Sequence, residues 1–410
     1  MSTLLNWLRL RAERVYGSIA FWPTVLAVAF VALAVFLRSF RARVLFEVVD
    51  ETLPFLLVRD RAVSLSLLTT LVGGLISLMV FSFSMVMVLL SNATANLTPR
   101  LLPSLVGSTR HQVVLGVYLG TILYCIVIAM GFGLDTDNER PPSASLSLAV
   151  LFGIACLALF IYFIHSVSQS IQVGVVLRNA HRRTRRSLGE LLERQRDSPV
   201  ADYPDTADWV AVPAWRSDFV DGISEAQLAA FAKTHDTRVA IDVEPGSYVV
   251  AGEPIAYLAP GLPITGERLR DLRTGFYFGD RTDAEDYYGA GVERIVEVAL
   301  KALSPGINDP GTAVVAIEYL REVFTAATGL RPVLATADED GVTRVYHRLP
   351  AWRTLLARHL RSLQQYGSED PMTQDALGRL RDSVLGQLRR DGRDGELAAT
   401  ERIFRETDVA

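Results

Sequence analysis

The sequence predicts an integral membrane protein with four transmembrane helices, followed by a mixed α/β cytoplasmic domain that carries a small β module. Three observations lead there. Four segments in the first 172 residues are apolar for long enough to cross a hydrocarbon core of about 30 Å, which takes roughly 20 helical residues. Beyond about residue 180 the chain turns polar and is long enough to bury a core of its own. Finally, the 410 residues are 50% hydrophobic and only 21% charged, too apolar for a disordered or wholly soluble chain.

The helices are expected at about 21–37, 62–98, 113–133 and 145–172, inside a transmembrane domain 19–178 that follows a cytoplasmic segment 1–18. Arg9, Arg11 and Arg14 precede the first segment and Trp22 stands at its mouth. Arg38, Arg41 and Arg43 occupy the place where a signal peptide needs small residues for cleavage, so the segment reads as a retained anchor. Arg178, Arg182, Arg183, Arg185 and Arg186 follow the fourth segment, whereas the loop before it holds Asp135, Asp137 and Glu139. The bias of Arg toward the inner side puts the C-terminus in the cytoplasm, and four crossings bring the N-terminus there too. Arg38, Arg41 and Arg43 oppose that placement of the first helix, and a three-span arrangement with a monotopic first segment is the alternative.

The polar part divides into a basic helix and linker at 179–213, a small β-rich module at 214–265, and an α/β to α-helical domain at 266–410. Asp197 to Pro213 is rich in Pro, Asp and Ala, as linkers are. Strands are expected at 215–223 and 238–243 around a short helix at 225–233. Turn and strand then alternate from Glu244 to Leu258, with Gly246 and Gly252 between apolar runs. This stretch is similar to the hairpins of lipoyl and biotinyl carriers. Neither lysine of the chain, Lys233 or Lys301, lies where such carriers are modified, so covalent carriage is not expected. Helices follow at 291–303 and 311–324, then a hairpin around Asp338 to Gly341, then amphipathic helices at 350–366 and 371–403.

Several chemistries have no residues to support them. A net charge of −4 argues against nucleic acid, which needs a concentrated positive face. The two cysteines, Cys125 and Cys156, sit in apolar runs and the six histidines are scattered, so no metal or cofactor is expected. The chain has no G-x-S-x-G elbow, phosphate-binding loop or dinucleotide fingerprint, and an enzyme is not expected. Gly131 to Asp135 imitates a potassium-channel filter but ends a continuous apolar helix, leaving no room for a pore helix.

Four groups of residues remain as candidates. Thr70, Ser77, Ser84, Ser91 and Thr98 repeat at seven, so they share one face of a helix too long for the bilayer. Such a hydroxyl seam either lets helices pack closely or lines a wet pathway between subunits. His165, Gln169 and Gln172 share a face where the fourth helix leaves the membrane and are candidates for an inner vestibule. The five arginines from 178 to 186 suit anionic lipid or another anion. In the turn Ser304-Pro305-Gly306-Ile307-Asn308-Asp309-Pro310, Asp309 suits an N-cap before Pro310, while Asn308 is left to read a ligand or another segment. The polar run 279–286 is expected near that turn.

Phe81 to Val86 through Leu102, Leu119 to Cys125, Tyr162 to His165 with Ser170 to Val173, and above all Ala302 to Ala313 resemble one family. These are the bacterial predicted membrane proteins of domain-of-unknown-function family twenty-two fifty-four. Asn92, Thr94 and Asn96 depart from the Gln, Ser and Gln usual in that family. The resemblance implies a four-helix membrane protein with a cytoplasmic domain and implies no activity. The residues themselves point to an oligomeric channel or transport-related pore in the bacterial inner membrane, regulated from the cytoplasm. The alternative is a membrane-anchored binding or scaffold protein without conduction. The expected partners are the lipid bilayer, anionic lipid in particular, further copies of the chain, and a small ligand or ion.

Overall fold

The computed structural model describes residues 20–38, 60–96, 109–134, 143–170, 173–263, 265–279 and 287–408. They form two compact units, Met1–Gln172 and Val173–Ala410.

The first unit holds α1 (Phe21–Arg38), α2 (Arg61–Asn96), α3 (Thr109–Leu134) and α4 (Ser143–Ser170). Three of these, α2, α3 and α4, are long and apolar enough to cross a membrane, while the apolar stretch of α1, Phe21–Leu37, is shorter. Of the four spans read from the sequence, three are helices of full length, and the fourth, α1, falls short of it. In α2 the 36 residues extend about 54 Å, beyond what a bilayer core requires.

Small residues let α3 serve as the axis of this unit. A Cβ added to Gly116 would lie 2.7 Å from Leu26 Cδ1, and one added to Gly120 would lie 2.8 Å from Phe30 Cγ. This small-xxx-small spacing brings α1 and α3 backbones together, the usual basis of helix association where water supplies no hydrophobic drive. On its other sides α3 packs Tyr124, Cys125 and Ile128 with Leu68 of α2 and Leu146 and Ala149 of α4. One level away, Tyr118 and Ile122 meet Leu75, Cys156 and Phe163. The Tyr124 hydroxyl donates to the Ser145 carbonyl at 3.0 Å, which supplies a partner that lipid lacks.

The second unit opens with α5 (Val173–Asp197), which buries Leu177, His181, Thr184, Leu188, Leu191 and Gln195 at alternating spacings of four and three. The sequence reading carries the transmembrane domain to 178, but α5 packs as part of the polar unit, because Leu177 and His181 already belong to that buried stripe. Strands β1 (Val210–Pro213), β2 (Asp218–Ile223), β3 (Val239–Ile241), β4 (Tyr248–Val249), β5 (Pro254–Leu258), β6 (Phe276–Gly279), β7 (Val333–Ala337) and β8 (Thr343–Arg348) form two sheets. The larger has the order β1-β5-β3-β8-β7, parallel only between β3 and β8, and the smaller has the order β4-β2-β6. The stretch 214–265 thus does not close on itself as a module. Its β3 and β5 join a sheet completed by β8 and β7 from a hundred residues later, and Val345 lies in the same core as Val239 and Ile241.

Helices α6 (Glu225–Thr234) and α7 (Gly266–Arg273) pack on this β core. The remaining helices are α8 (Tyr288–Leu303), α9 (Pro310–Ala327), α10 (Trp352–Gly367), α11 (Pro371–Arg390) and α12 (Asp394–Asp408). The sequence predicts one helix over 371–403. The chain instead breaks at Gly392, whose φ of 66° is the left-handed conformation that ends helices and favours glycine.

Candidate functional site

Two faces of α2 define the membrane site. Ser64, Leu68, Leu75 and Ser82 are buried, and 68, 75 and 82 repeat at seven, so this stripe faces the bundle. Thr70, Ser77, Ser84 and Ser91 repeat at seven as well, two residues further on. Two residues are about 200° of turn, so the hydroxyl seam points away from the bundle, and all four residues are exposed. Gly73 and Gly74, beside the seam, have no atom of the described residues outside the helix within reach of an added Cβ. The Thr70 and Ser77 hydroxyls donate to the carbonyls of Ser66 and Gly73, at 2.8 and 3.0 Å. Their donor capacity is met within the helix and their oxygens remain as acceptors on the outer face.

Thr98 and Gln172 lie outside the described residues, as do the Gln169 side chain and the polar run 280–286. Of the vestibule candidates only His165 is placed, exposed near the end of α4.

All five candidate arginines of α5 are exposed, on the sides away from the buried stripe. Arg185 pairs with Glu322 of α9 at 2.6 Å, Arg186 pairs with Glu190 at 2.8 Å, and Arg182 donates to the Asn179 amide oxygen at 3.2 Å. Beneath them His181 stacks flat on Tyr319 at 4.1 Å, with Nε2 2.9 Å from Glu322. Burial holds this imidazole below its usual range despite the pull of the carboxylate.

In the turn before α9, Asp309 is the N-cap: its carboxylate accepts from the Thr312 backbone N–H at 3.1 Å and from the Thr312 hydroxyl at 2.6 Å. These bonds hold its pKa below the ordinary range. Asn308 has a φ of 50° and an exposed side chain. The left-handed backbone itself explains an Asn at this position, since Asn visits that region more readily than most residues.

The structure also assembles a group that sequence reasoning missed. Glu225, in the first turn of α6, accepts from Arg194 of α5 at 2.9 Å and lies 3.0 Å from His347 Nδ1 on β8. His347 Nε2 faces the Val243 carbonyl at 3.1 Å. Both ring nitrogens therefore meet acceptors, a setting that suits two donors. Burial pushes the Glu225 carboxyl up, but the bond and charge of His347, with Arg194, outweigh it and hold the group at about 2. The only local signal was Ser224-Glu225 at a helix start, because Arg194 and His347 come from 31 and 122 residues away. A groove of about 1080 Å³ between α9 and α11 is lined by Glu318, Arg321, Arg379 and Ser383 among others. Glu318 there already receives Arg321 at 2.6 Å and Arg379 at 2.7 Å, so these groups satisfy one another. Among the described residues no group of three or more His, Cys, Asp or Glu side chains is placed to hold a metal ion.

Comparison with known proteins gives the family. Residues 16–381 match the family described as Predicted membrane protein (DUF2254). The chain belongs to this family. It is 27% identical over 323 residues to the uncharacterized protein Rv1290c of Mycobacterium tuberculosis (strain H37Rv), covering 74% of this chain. The uncharacterized protein Mb1321c of Mycobacterium bovis matches to the same extent. The chain spans 60% of the length of these curated relatives. No solved structure matches it.

Proposed function

We propose that this family member is an oligomeric inner-membrane channel, in which the outer face of α2 is turned toward a common axis shared with other copies. In this reading α1 is a fourth span, both termini are cytoplasmic, and the second unit regulates the pore. The carrying observation is the seam of Thr70, Ser77, Ser84 and Ser91 on the side of α2 opposite its own bundle. A helix with two seven-residue stripes has two faces to cover, and its protomer covers one of them. Hydroxyl oxygens and open glycines on the other face suit water or a close helix better than lipid tails. The second unit is joined to α4 through α5 by two intervening residues, the shortest covalent route by which a cytoplasmic signal could reach the spans.

A scaffold without conduction is the second reading, favoured by the near absence of Asp, Glu, Lys and Arg from the three long spans. Thiol accessibility separates the two. Single cysteines replace Ser77, Ser84 and, as a lipid-facing control at least 100° round the helix from both, the exposed Phe83; the native Cys125 and Cys156 are buried. A wet axis predicts that a charged, water-soluble thiol reagent modifies Ser77→Cys and Ser84→Cys and spares Phe83→Cys. Equal protection of all three would favour the scaffold.

A further inference from the structure

The second unit has a pocket that neither the α2 seam nor the Glu225 cluster uses. Strands β3 and β8 run parallel, so both end on the same side of the larger sheet, and the antiparallel β7 starts there. Where parallel strands end together, the chains that leave them diverge and open a crevice. Here Asp242 and Glu244 follow β3, Arg348 closes β8, and Asp202 and Tyr203 come across from the linker after α5. They line a pocket of about 390 Å³, a size that suits a small molecule. Pro332, Val333, Leu349 and Pro350 give it an apolar wall.

The charges in this lining are not balanced. Three carboxylates stand against one guanidinium, and that guanidinium is already engaged, since Arg348 pairs with Asp242 at 3.2 Å and lies 4.0 Å over the Tyr203 ring. Among the described residues, Asp202 and Glu244 make no hydrogen bond or ion pair. Burial raises the Glu244 carboxyl above its ordinary range, Arg358 and His347 pull it back, and Glu293 adds to the rise. Two phenols lack hydrogen-bond partners as well. The Tyr203 hydroxyl is buried, and near Glu244 so is that of Tyr288, a residue only 1% exposed. Phenol oxygens accept hydrogen bonds, and an ammonium group brings three donors and no acceptor.

The placement of the acids separates one class of cation from another. Among the described residues no three His, Cys, Asp or Glu side chains are placed to hold one metal ion, so Asp202, Asp242 and Glu244 do not converge on a single centre. Two unpartnered carboxylates call for two positive charges, and the apolar wall suits methylenes between them. We propose that this pocket binds an aliphatic diamine, with one ammonium on Asp202, the other on Glu244 and the methylene chain against Pro332, Val333 and Leu349.

The test titrates putrescine into the full chain in detergent by isothermal titration calorimetry. The pocket lies wholly within the second unit, so the titration reads it whatever the spans conduct. The parent is expected to bind putrescine saturably, and butylamine, with a single ammonium, at least tenfold more weakly. Asp202→Asn and Glu244→Gln are each expected to weaken putrescine about tenfold, and the double variant about a hundredfold. Their melting temperatures should stay near the parent's, because neither carboxylate has a partner to lose. Glu369→Gln, an exposed acid outside the pocket, is expected to bind as the parent does. A parent without saturable binding, butylamine as tight as putrescine, or undiminished binding in the double variant would overturn the proposal. So would saturable binding of calcium that the double variant abolishes, because the pocket would then hold a metal ion.

Discussion

The two units handle polar side chains in opposite ways. In the second unit charged groups drawn from distant parts of the chain meet inside it, as Glu225, Arg194 and His347 do. In the membrane unit the main polar stripe of α2 is turned outward, away from its own bundle. An unsatisfied polar group is costly in both surroundings. At Glu225 the second unit meets that demand with its own residues, whereas in the reading proposed above the acceptors of the α2 seam would be met by water or other copies.

Glu225 gives the largest expected effect on this comparison. Glu225→Gln removes the charge shared by a buried histidine and an arginine, and is expected to destabilise the second unit by about 3–5 kcal/mol. Because the folded carboxyl sits near 2 against 4.5 unfolded, its contribution is present above pH 4.5 and lost as pH falls toward 2. Denaturant melts at pH 7 and pH 3 check this, and a parent-like variant at pH 7 would break the contrast between the units.

His359 titrates in a higher window. Burial, with the Arg358 guanidinium beside it, holds this imidazole at about 4 against 6.5 unfolded. The unfolded chain takes a proton that the folded one refuses, so stability falls between pH 6.5 and pH 4, by at most about 3 kcal/mol. His359→Gln is expected to flatten that part of the stability curve.

Two glycines of the membrane unit sharpen the contrast from the other side. Gly120→Ala drives a Cβ against the Phe30 ring and is expected to loosen α1 from α3, costing about 1–3 kcal/mol. Gly74→Ala meets nothing among the described residues, so any loss of oligomer mass in that variant would point to contacts between copies. Crosslinking of α1 to α3 and native mass read the two effects separately.

The smallest expected effects lie in the turn before α9. Asp309→Ala removes an N-cap and should cost about 0.5–2 kcal/mol. Asn308→Ala should cost about 1 kcal/mol from the left-handed backbone, and Asn308→Gly almost nothing. A parent-like Asn308→Ala melt would point away from the backbone explanation for that residue.

What the sequence made legible follows from how far each signal travels along the chain. The apolar runs, the α2 periodicity and the capping turn are local, and helices form where those patterns lie. The spacing of Gly116 and Gly120 was equally local, but its meaning depended on Phe30 and Leu26 coming to meet it. The sheet that joins 239–258 to 333–348, and the Glu225 cluster, depend on contacts across about a hundred residues that no periodicity announces. The break at Gly392 was written in the residue, yet an amphipathic pattern on both sides masked it.

Ser84→Leu tests the central claim, that the outer seam of α2 borders a wet axis, most directly. Ion flux into proteoliposomes and oligomer mass in detergent are measured together for the parent, Ser84→Leu and Ser84→Ala. A wet axis predicts flux in the parent and in Ser84→Ala, and its loss in Ser84→Leu through a hydrophobic ring that excludes water, with oligomer mass unchanged in all three. A parent that passes no ion tested, with an oligomer that falls apart in Ser84→Leu and survives in Ser84→Ala, would contradict the claim and leave the seam as a packing surface.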